Sequence, residues 1–285
     1  MNKRVMICSD STTDLSAELI AKYDIKILSL TVNLGGKVYT DGVDIDPDGI
    51  YRHYEEHGEL PKTAAPNIAA FCAFFEEHTK KGEALVFFTI SSAMSSTYNN
   101  ARLAAANYPN VYVVDTKNLS TGGGLLVVAA AEMARAGMSA ADIAKESAAL
   151  TDAVDASFVI DDLEFLHKGG RCSAIAALAA GVLQLKPCIT VRGGKMGVAK
   201  KYRGRFSRVL QQYIADRIGD GTGIDLSRVF VTHAGCEEEL VAACLAQVKS
   251  AAPWGEVHLT RAGCTISAHC GKNTLGVLFM RKNQD

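Results

Sequence analysis

Along the first half of the chain, short apolar runs alternate with segments whose apolar residues recur every three or four positions. "RVMICSD" (4–10) reads as a strand, "LSAELIAKY" (15–23) as a helix and "IKILSLTVNLGG" (25–36) as strand again. "PNIAAFCAFFEEHTKKG" (66–82) carries an amphipathic helical stripe, with Pro66 near its start and Gly82 after its end. "ALVFFTI" (84–90) and "VYVVDT" (111–116) are nearly continuous apolar strands. Helical patterns follow each of them, in "STYNNARLAAANY" (96–108) and in "LLVVAAAEMARAG" (125–137), which Gly137 closes. Strands without polar alternation need cover on both faces. The pattern therefore predicts an α/β fold with a mostly parallel sheet and helices on both sides.

After about residue 155 the rhythm changes. "SFVIDDLEFLHKGGRCS" (157–173) leads into the alanine-rich "AIAALAAGVLQL" (174–185). "KPCITVRGGKMGVAKKYRGR" (186–205) predicts a hairpin turning at Gly193-Gly194. A long helix ("FSRVLQQYIADRIGD", 206–220) precedes strand, helix and strand patterns in "RVFVTHAG", "CEEELVAACLAQVKSA" and "EVHLTRAG", and "TLGVLFMRK" closes the chain as a last strand. The expected organisation is an N-terminal α/β domain over 1–155 and a C-terminal α/β domain with an antiparallel component over 156–285. No Pro-rich or Ser-rich linker separates them, so the two are expected to pack closely.

Composition narrows the function classes. The 285 residues are 48% hydrophobic and 21% charged, enough apolar surface for a packed core. A formal net charge of −1 argues against a protein whose main partner is nucleic acid. The apolar runs fall well short of the ~20 residues that a membrane span needs, and the N-terminal apolar stretch is too short for a signal peptide. A cytoplasmic protein, not embedded in a membrane, is expected. Eight cysteines occur without a CxxC pair or a zinc-like Cys/His spacing, which predicts reduced thiols and neither metal nor cofactor.

The candidate chemistry lies at strand exits. Three strands end in acids or hydroxyls, at Asp10-Ser11-Thr12, Thr89-Ile90-Ser91 and Asp115-Thr116. Open parallel sheets bind ligands beyond their carboxyl ends, yet helix N-caps use these same residue types. Between Thr89 and Thr97, in "TISSAMSST", stand four serines and two threonines. No Gly-x-Ser-x-Gly elbow and no P-loop accompanies them. The remaining readings are a hydroxyl-rich anion cradle at a helix start, or capping alone. Thr63 in "KTAAPN" is held in an extended approach by Pro66, which restricts Ala65. His269 in "SAHCG" is flanked by small residues that let a ligand come close. Arg171 follows two glycines in "HKGGRCS". "KMGVAKKYRGRFSR" (195–208) carries six basic residues and no acid, a solvated hairpin or an anion-facing patch.

Six motifs in order, "DSTTDL" (10–15), "KTAAPN" (62–67), "ISSAMSSTYNNA" (90–101), "VVDT" (113–116), "LEFLHKGGRCS" (163–173) and "SAHCGKNTLGVLF" (267–279), together resemble the DegV family of bacterial fatty-acid-binding proteins. The resemblance implies a two-domain α/β protein with a long-chain fatty acid between the domains. It implies a carrier rather than an enzyme, the binding subunit of a two-part fatty acid kinase. The partner kinase phosphorylates the bound carboxyl to an acyl phosphate that feeds phospholipid synthesis. Carried over, the carboxylate contacts are Thr63, Ser95 and His269, and Arg171 and Arg203 match positions tied to activity with the kinase. The chain has Ala64-Ala65, Ala93, Ser96 and Cys270 where the family often has other residues. Neutral donors suit a carboxylate that has to be released, and a long tail supplies most of the affinity. Small residues in 174–185 offer a slot for that tail, or close helix packing. The competing readings are an acyl hydrolase using Ser95 with His269, without an elbow or an orienting acid, and a nucleic-acid-linked regulator acting through the basic hairpin.

Overall fold

The computed structural model describes residues 5–80, 82–173 and 185–282. Its strands are β1 (Val5–Asp10), β2 (Lys26–Leu28), β3 (Thr31–Leu34), β4 (Lys37–Thr40), β5 (Lys62–Ala64), β6 (Ala84–Thr89), β7 (Val111–Asp115), β8 (Val154–Ile160), β9 (Leu185–Arg192), β10 (Lys195–Arg203), β11 (Ile224–Ala234), β12 (Glu256–Arg261) and β13 (Thr274–Arg281). The first sheet runs β2-β1-β6-β7 with every pair parallel. A six-stranded sheet, β10-β9-β8-β13-β11-β12, is antiparallel except for β11 against β12. The fold is thus α/β, with a parallel sheet and a second sheet that is largely antiparallel. The expected division between residues 155 and 156 falls within β8.

The parallel strands are apolar throughout because both faces are covered. On β6, Phe87 packs edge-on against Phe71, Phe74 and Phe75 of the helix Ile68–Thr79, with ring centroids 5.3–5.8 Å apart. Its neighbour Phe88 points the other way, into a core shared with Ile7, Val114 and the helix Ser120–Arg135. That helix is packed between the two larger sheets, and the same core continues to Phe158, Ile189, Phe230 and Leu278 of the six-stranded sheet. It begins five residues earlier than the apolar pattern suggests and takes in three glycines. Each glycine costs a helix about 1 kcal/mol relative to alanine. Here they allow close approach: a Cβ on Gly124 would lie 3.0 Å from the Thr13 carbonyl oxygen, and one on Gly122 3.1 Å from the Ala156 Cβ. The other face of the six-stranded sheet is covered by the helices Phe206–Ile218 and Glu238–Ala251.

One expected strand is two. The segment 25–36 breaks at Ser29-Leu30: β2 joins the parallel sheet, and β3 joins a three-stranded antiparallel sheet in the order β4-β3-β5. At the break the Leu30 N–H donates to Ser11 Oγ at 3.1 Å, and the Asp41 N–H donates to the Leu30 carbonyl. Both backbone groups of Leu30 are therefore satisfied outside the parallel ladder, and the chain can leave it. Among the described residues four further helices add to the pattern: Pro47–His57, Ala140–Ala149, the short Glu164–Gly169 and the seven-residue Cys264–Cys270.

Candidate functional site

The carboxyl ends of β1, β6 and β7 carry the hydroxyl-rich loops. After β6, the Ser91 hydroxyl donates to the Gly194 carbonyl at 2.7 Å, tying the loop to the tip of the β9–β10 hairpin. The N–H groups of Met94 and Ser95 donate back to the Ser91 carbonyl at 2.9 and 3.1 Å. Ser95 Oγ accepts from the Thr97 N–H at 3.2 Å and shares a hydrogen bond with Thr97 Oγ1 at 2.8 Å. Ser96 makes no side-chain cap to the helix Thr97–Ala105. Ser95 is half-buried at the helix start, and Ser91 is a loop fastener. Asp115, at the end of β7, accepts from the N–H groups of Ser92 and Lys117 and so shapes a turn.

Thr63 lies in β5, opposite Val32 of β3. Its Oγ1 is 2.9 Å from Nε2 of His269, which stands near the end of the helix Cys264–Cys270. Residues 206 positions apart thus form one hydrogen-bonded pair. The other ring nitrogen, Nδ1, is buried without a partner among the described residues. Desolvation pushes the His269 pKa down to about 4, and the positive charge of Arg171 adds to the effect. The imidazole is therefore neutral near pH 7, with one N–H to donate.

These side chains line one cavity of about 470 Å³. Thr63, Ser95, Ser96, Thr265, Arg171 and His269 supply its polar groups, and Leu30, Ile90, Met94, Leu119, Met196 and Ile266 supply apolar wall. The volume falls in the range of small-molecule sites, about 300–1,000 Å³. Leu119, Ile266 and Cys270 also wall a small inner chamber of about 30 Å³. That chamber reaches Phe158, Ala234 and Leu278 of the six-stranded sheet. A larger recess of about 800 Å³ sits at the opposite end of the parallel sheet, beside Val5, Ala84 and Tyr112. It borders the amino ends of the strands. Ligand sites in such sheets form at the carboxyl ends.

Of the residues singled out from the sequence, the structure brings Thr63, Ser95, Arg171 and His269 to the same cavity. Arg203 is exposed at the end of β10 and is not among the lining residues. The tail slot expected in 174–185 falls, but for Leu185, outside the described residues. Arg171 is exposed, and its Nη1 donates to the Gly169 carbonyl at 2.7 Å. The cradle is therefore neutral but for one cation at its edge. His269 pairs with Thr63, and the hydrogen bond of Ser95 goes to Thr97, so no Ser95–His269 couple is assembled. Among the described residues no group of three His, Cys, Asp or Glu side chains could hold a metal ion, and no helix is long and apolar enough to cross a membrane.

A family model described as an uncharacterised protein of the DegV family matches residues 4–282. The chain belongs to the DegV family. A DegV domain-containing protein of Caldanaerobacter subterraneus subsp. tengcongensis is 32% identical over 98% of this chain and 100% of its own length. Among solved structures, a fatty-acid-binding DegV family protein from Thermus thermophilus superposes with a TM-score of 0.91 at 29% identity, covering 98% of this chain and 100% of that one. A stearic-acid-binding protein from Eubacterium ventriosum superposes with a TM-score of 0.82 at 28% identity, covering 98% of each chain. The cavity lining brings forward residues that the sequence did not flag. Leu30, Leu119, Met196 and Ile266 come from four separate segments, and each carries the same apolar signal as an ordinary core residue.

Proposed function

We propose that this DegV family chain is a carrier for one long-chain fatty acid. The carboxylate is held by Thr63, Ser95 and His269, and the tail runs past Leu119 and Ile266 toward the inner chamber. The observation that carries the reading is the Thr63–His269 hydrogen bond at the polar part of a cavity whose remaining wall is largely apolar. The fatty-acid-binding structures that superpose on the chain support it. A carboxylate taken out of water needs donors, or it takes up a proton. The bond between Thr63 and neutral His269 uses one of that pair's two donors, so the pair offers one, and Ser95 offers a second when the Thr97 hydroxyl donates to it. Burying about 14 methylenes gains on the order of 11 kcal/mol before the costs of binding. The acid lies between an amino-terminal unit, 1–155, and a carboxy-terminal unit, 156–285, and lining residues from both units (Met94 and Leu119, Leu166 and Met196) favour that arrangement.

In the same proposal the protein is cytoplasmic and acts with a separate kinase. A carboxylate oxygen of the bound acid attacks the γ-phosphorus of ATP held by that kinase. The bond to ADP breaks, and an acyl phosphate for phospholipid synthesis leaves. Arg171, at the cavity edge, and Arg203, on the exposed hairpin, are the residues proposed to face the kinase or the transferred phosphoryl group. The test is denaturing extraction of protein expressed in bacteria, followed by mass spectrometry of the extract. Stoichiometric long-chain acid is expected, and Ser95→Ala combined with His269→Ala should lower its retention. Protein free of lipid from several preparations would count against the carrier. Unchanged retention in the double variant would remove Ser95 and His269 from the cradle.

A further inference from the structure

The first sequence motif, "DSTTDL", contributes no residue to the cavity lining, and the proposed function leaves it without a task. We propose that Asp10, Asp14 and Asp41 form a positioning bracket that sets the geometry of the fatty-acid cradle. Each lies at the carboxyl end of the parallel sheet or just beyond it, each is buried (0%, 7% and 3% exposed), and each holds backbone of the cradle, Asp10 that of the serine loop and Asp14 and Asp41 that of the His269 helix.

Asp10 controls the serine loop. Its Oδ1 accepts from the N–H and hydroxyl of Thr12 at 3.0 and 2.6 Å, which fixes the carboxylate within its own turn. Its Oδ2 accepts from the Ile90 N–H at 2.8 Å. Ile90 lines the cavity five residues before Ser95. Asp14 and Asp41 control the helix that carries His269. The Gly263 N–H donates to Asp14 Oδ1 at 2.8 Å, and the Cys264 N–H donates to Asp41 Oδ1 at 2.8 Å. Asp41 Oδ2 accepts from the Thr265 N–H at 3.2 Å and from the Thr265 hydroxyl at 2.6 Å. A Cβ at Gly263 would lie 3.2 Å from Asp14 Oδ1 and 3.4 Å from Asp41 Oδ1, so both acids close on one peptide. Ser11 ties in the third arm: its hydroxyl donates to Asp41 Oδ2 at 2.9 Å and accepts from the N–H of Leu30, another lining residue.

A helix of seven residues has little stability of its own. This one has no side-chain cap from its own N-cap residue, Gly263, and its first N–H groups end on acids more than 200 positions away in the sequence. The direction of the His269 ring toward Thr63 is thus set at the far end of the helix, by Asp41 and Asp14. The bracket acts through backbone, and none of its carboxylates meets the ligand.

The proposal rests on the fatty-acid reading for its ligand but not for its geometry, and the test separates the two. Delipidated wild-type protein, Asp41→Asn and Ser11→Ala are titrated with palmitate and with hexadecanol, which has the same tail and no carboxylate. The histidine nitrogen resonances of each unliganded protein are recorded alongside. The Asn side chain at 41 turns an NH₂ toward donors that need an acceptor. Palmitate affinity should fall about tenfold while hexadecanol affinity changes by less than about twofold, and the His269 resonances should move. Ser11→Ala, which removes one of Asp41's donors and leaves the carboxylate, should give a smaller loss in the same direction and serves if Asp41→Asn does not fold. Equal losses for acid and alcohol in the variants would make the bracket merely structural and overturn the proposal. So would unmoved His269 resonances. Wild-type protein that takes up neither probe would overturn the carrier reading instead, and the His269 resonances would still decide the bracket.

Discussion

The two parts of the cavity are built by opposite means. The cradle joins Thr63 from a short strand, Ser95 from a loop, Arg171 from beyond a helix end and His269 from a seven-residue helix. Its geometry depends on hydrogen bonds between segments distant in sequence. The inner chamber is made by Phe158 of β8, Ala234 of β11, Leu278 of β13 and the neighbouring Leu119 and Ile266, packed as parts of the main core. Its geometry depends on the sheet. A neutral hydrogen bond contributes about 0.5–1.5 kcal/mol net, and each buried methylene about 0.8 kcal/mol. In the proposed carrier the chamber side would therefore set affinity and chain length, and the cradle the preference for a carboxylate and its orientation. A carrier that must surrender a reacted head group gains from that split, since changing the head need not disturb the tail.

The split is easiest to break from the tail. Ala234 is 2% exposed and lines the chamber. Ala234→Phe should close it and exclude about three methylenes of a long acid, which corresponds to about a 50-fold loss of affinity for palmitate. Laurate, too short to reach the chamber, should bind as before, and titration of both acids checks this. Equal losses for the two would mean that the ring has distorted the fold, a known cost of overpacking. The cradle predicts the reverse pattern. His269 has a folded pKa of about 4 against 6.5 when unfolded. Between these values the unfolded chain holds a proton that the folded protein does not, so the contribution of His269 to stability is present above pH 6.5 and lost as the pH falls toward 4. Asp10 and Asp14, raised by burial to about 6 and about 8, act in the opposite sense, favouring the folded state as the pH drops below those values. Comparison with His269→Gln isolates the histidine. Between pH 7 and pH 4 the wild type should lose about 1–2 kcal/mol relative to the variant in urea unfolding, a figure reduced for the ring's partial exposure. Parallel curves would show that the ring is not desolvated in the free protein.

Much of this division was legible in the sequence, for reasons that differ between the two parts. The parallel strands are long apolar runs because they are covered on both sides, and β1, β6 and β7 fall where the pattern puts them. The hairpin turn at Gly193-Gly194 was legible because both glycines take positive φ, 54° and 81°. Thr63, Ser95 and His269 were brought together by the family resemblance, and the structure sets all three on one cavity. The helix Cys264–Cys270 did not, because its first N–H groups are held by Asp14 and Asp41, and no local cap residue announces it. The break at Leu30 was hidden for the same reason: its partners are Ser11 and Asp41. The chamber residues carry no mark in the sequence, since a wall and a core are apolar alike. The sequence patterns end where a group is satisfied by a residue far along the chain, as in the Thr63–His269 pair and the start of the helix that carries His269.

The smallest expected effect falls on Ser95, and it sharpens the comparison because Ser95 serves both the local fold and the cradle. Its hydroxyl accepts from the Thr97 N–H and is paired with the Thr97 hydroxyl. Ser95→Ala therefore removes a helix-start contact worth about 0.5–1 kcal/mol of stability. It also removes one donor from the carboxylate, for about a threefold loss of palmitate affinity. The two effects separate by ligand. If Ser95 only shapes the loop, palmitate and hexadecanol should weaken together; if it also donates to the head group, only palmitate should. Ser95→Thr keeps the hydroxyl and should restore the preference for the acid over the alcohol. A variant with full stability and full palmitate affinity would leave Thr63 and His269 to hold the carboxylate alone, with Arg171 beside them at the cavity edge.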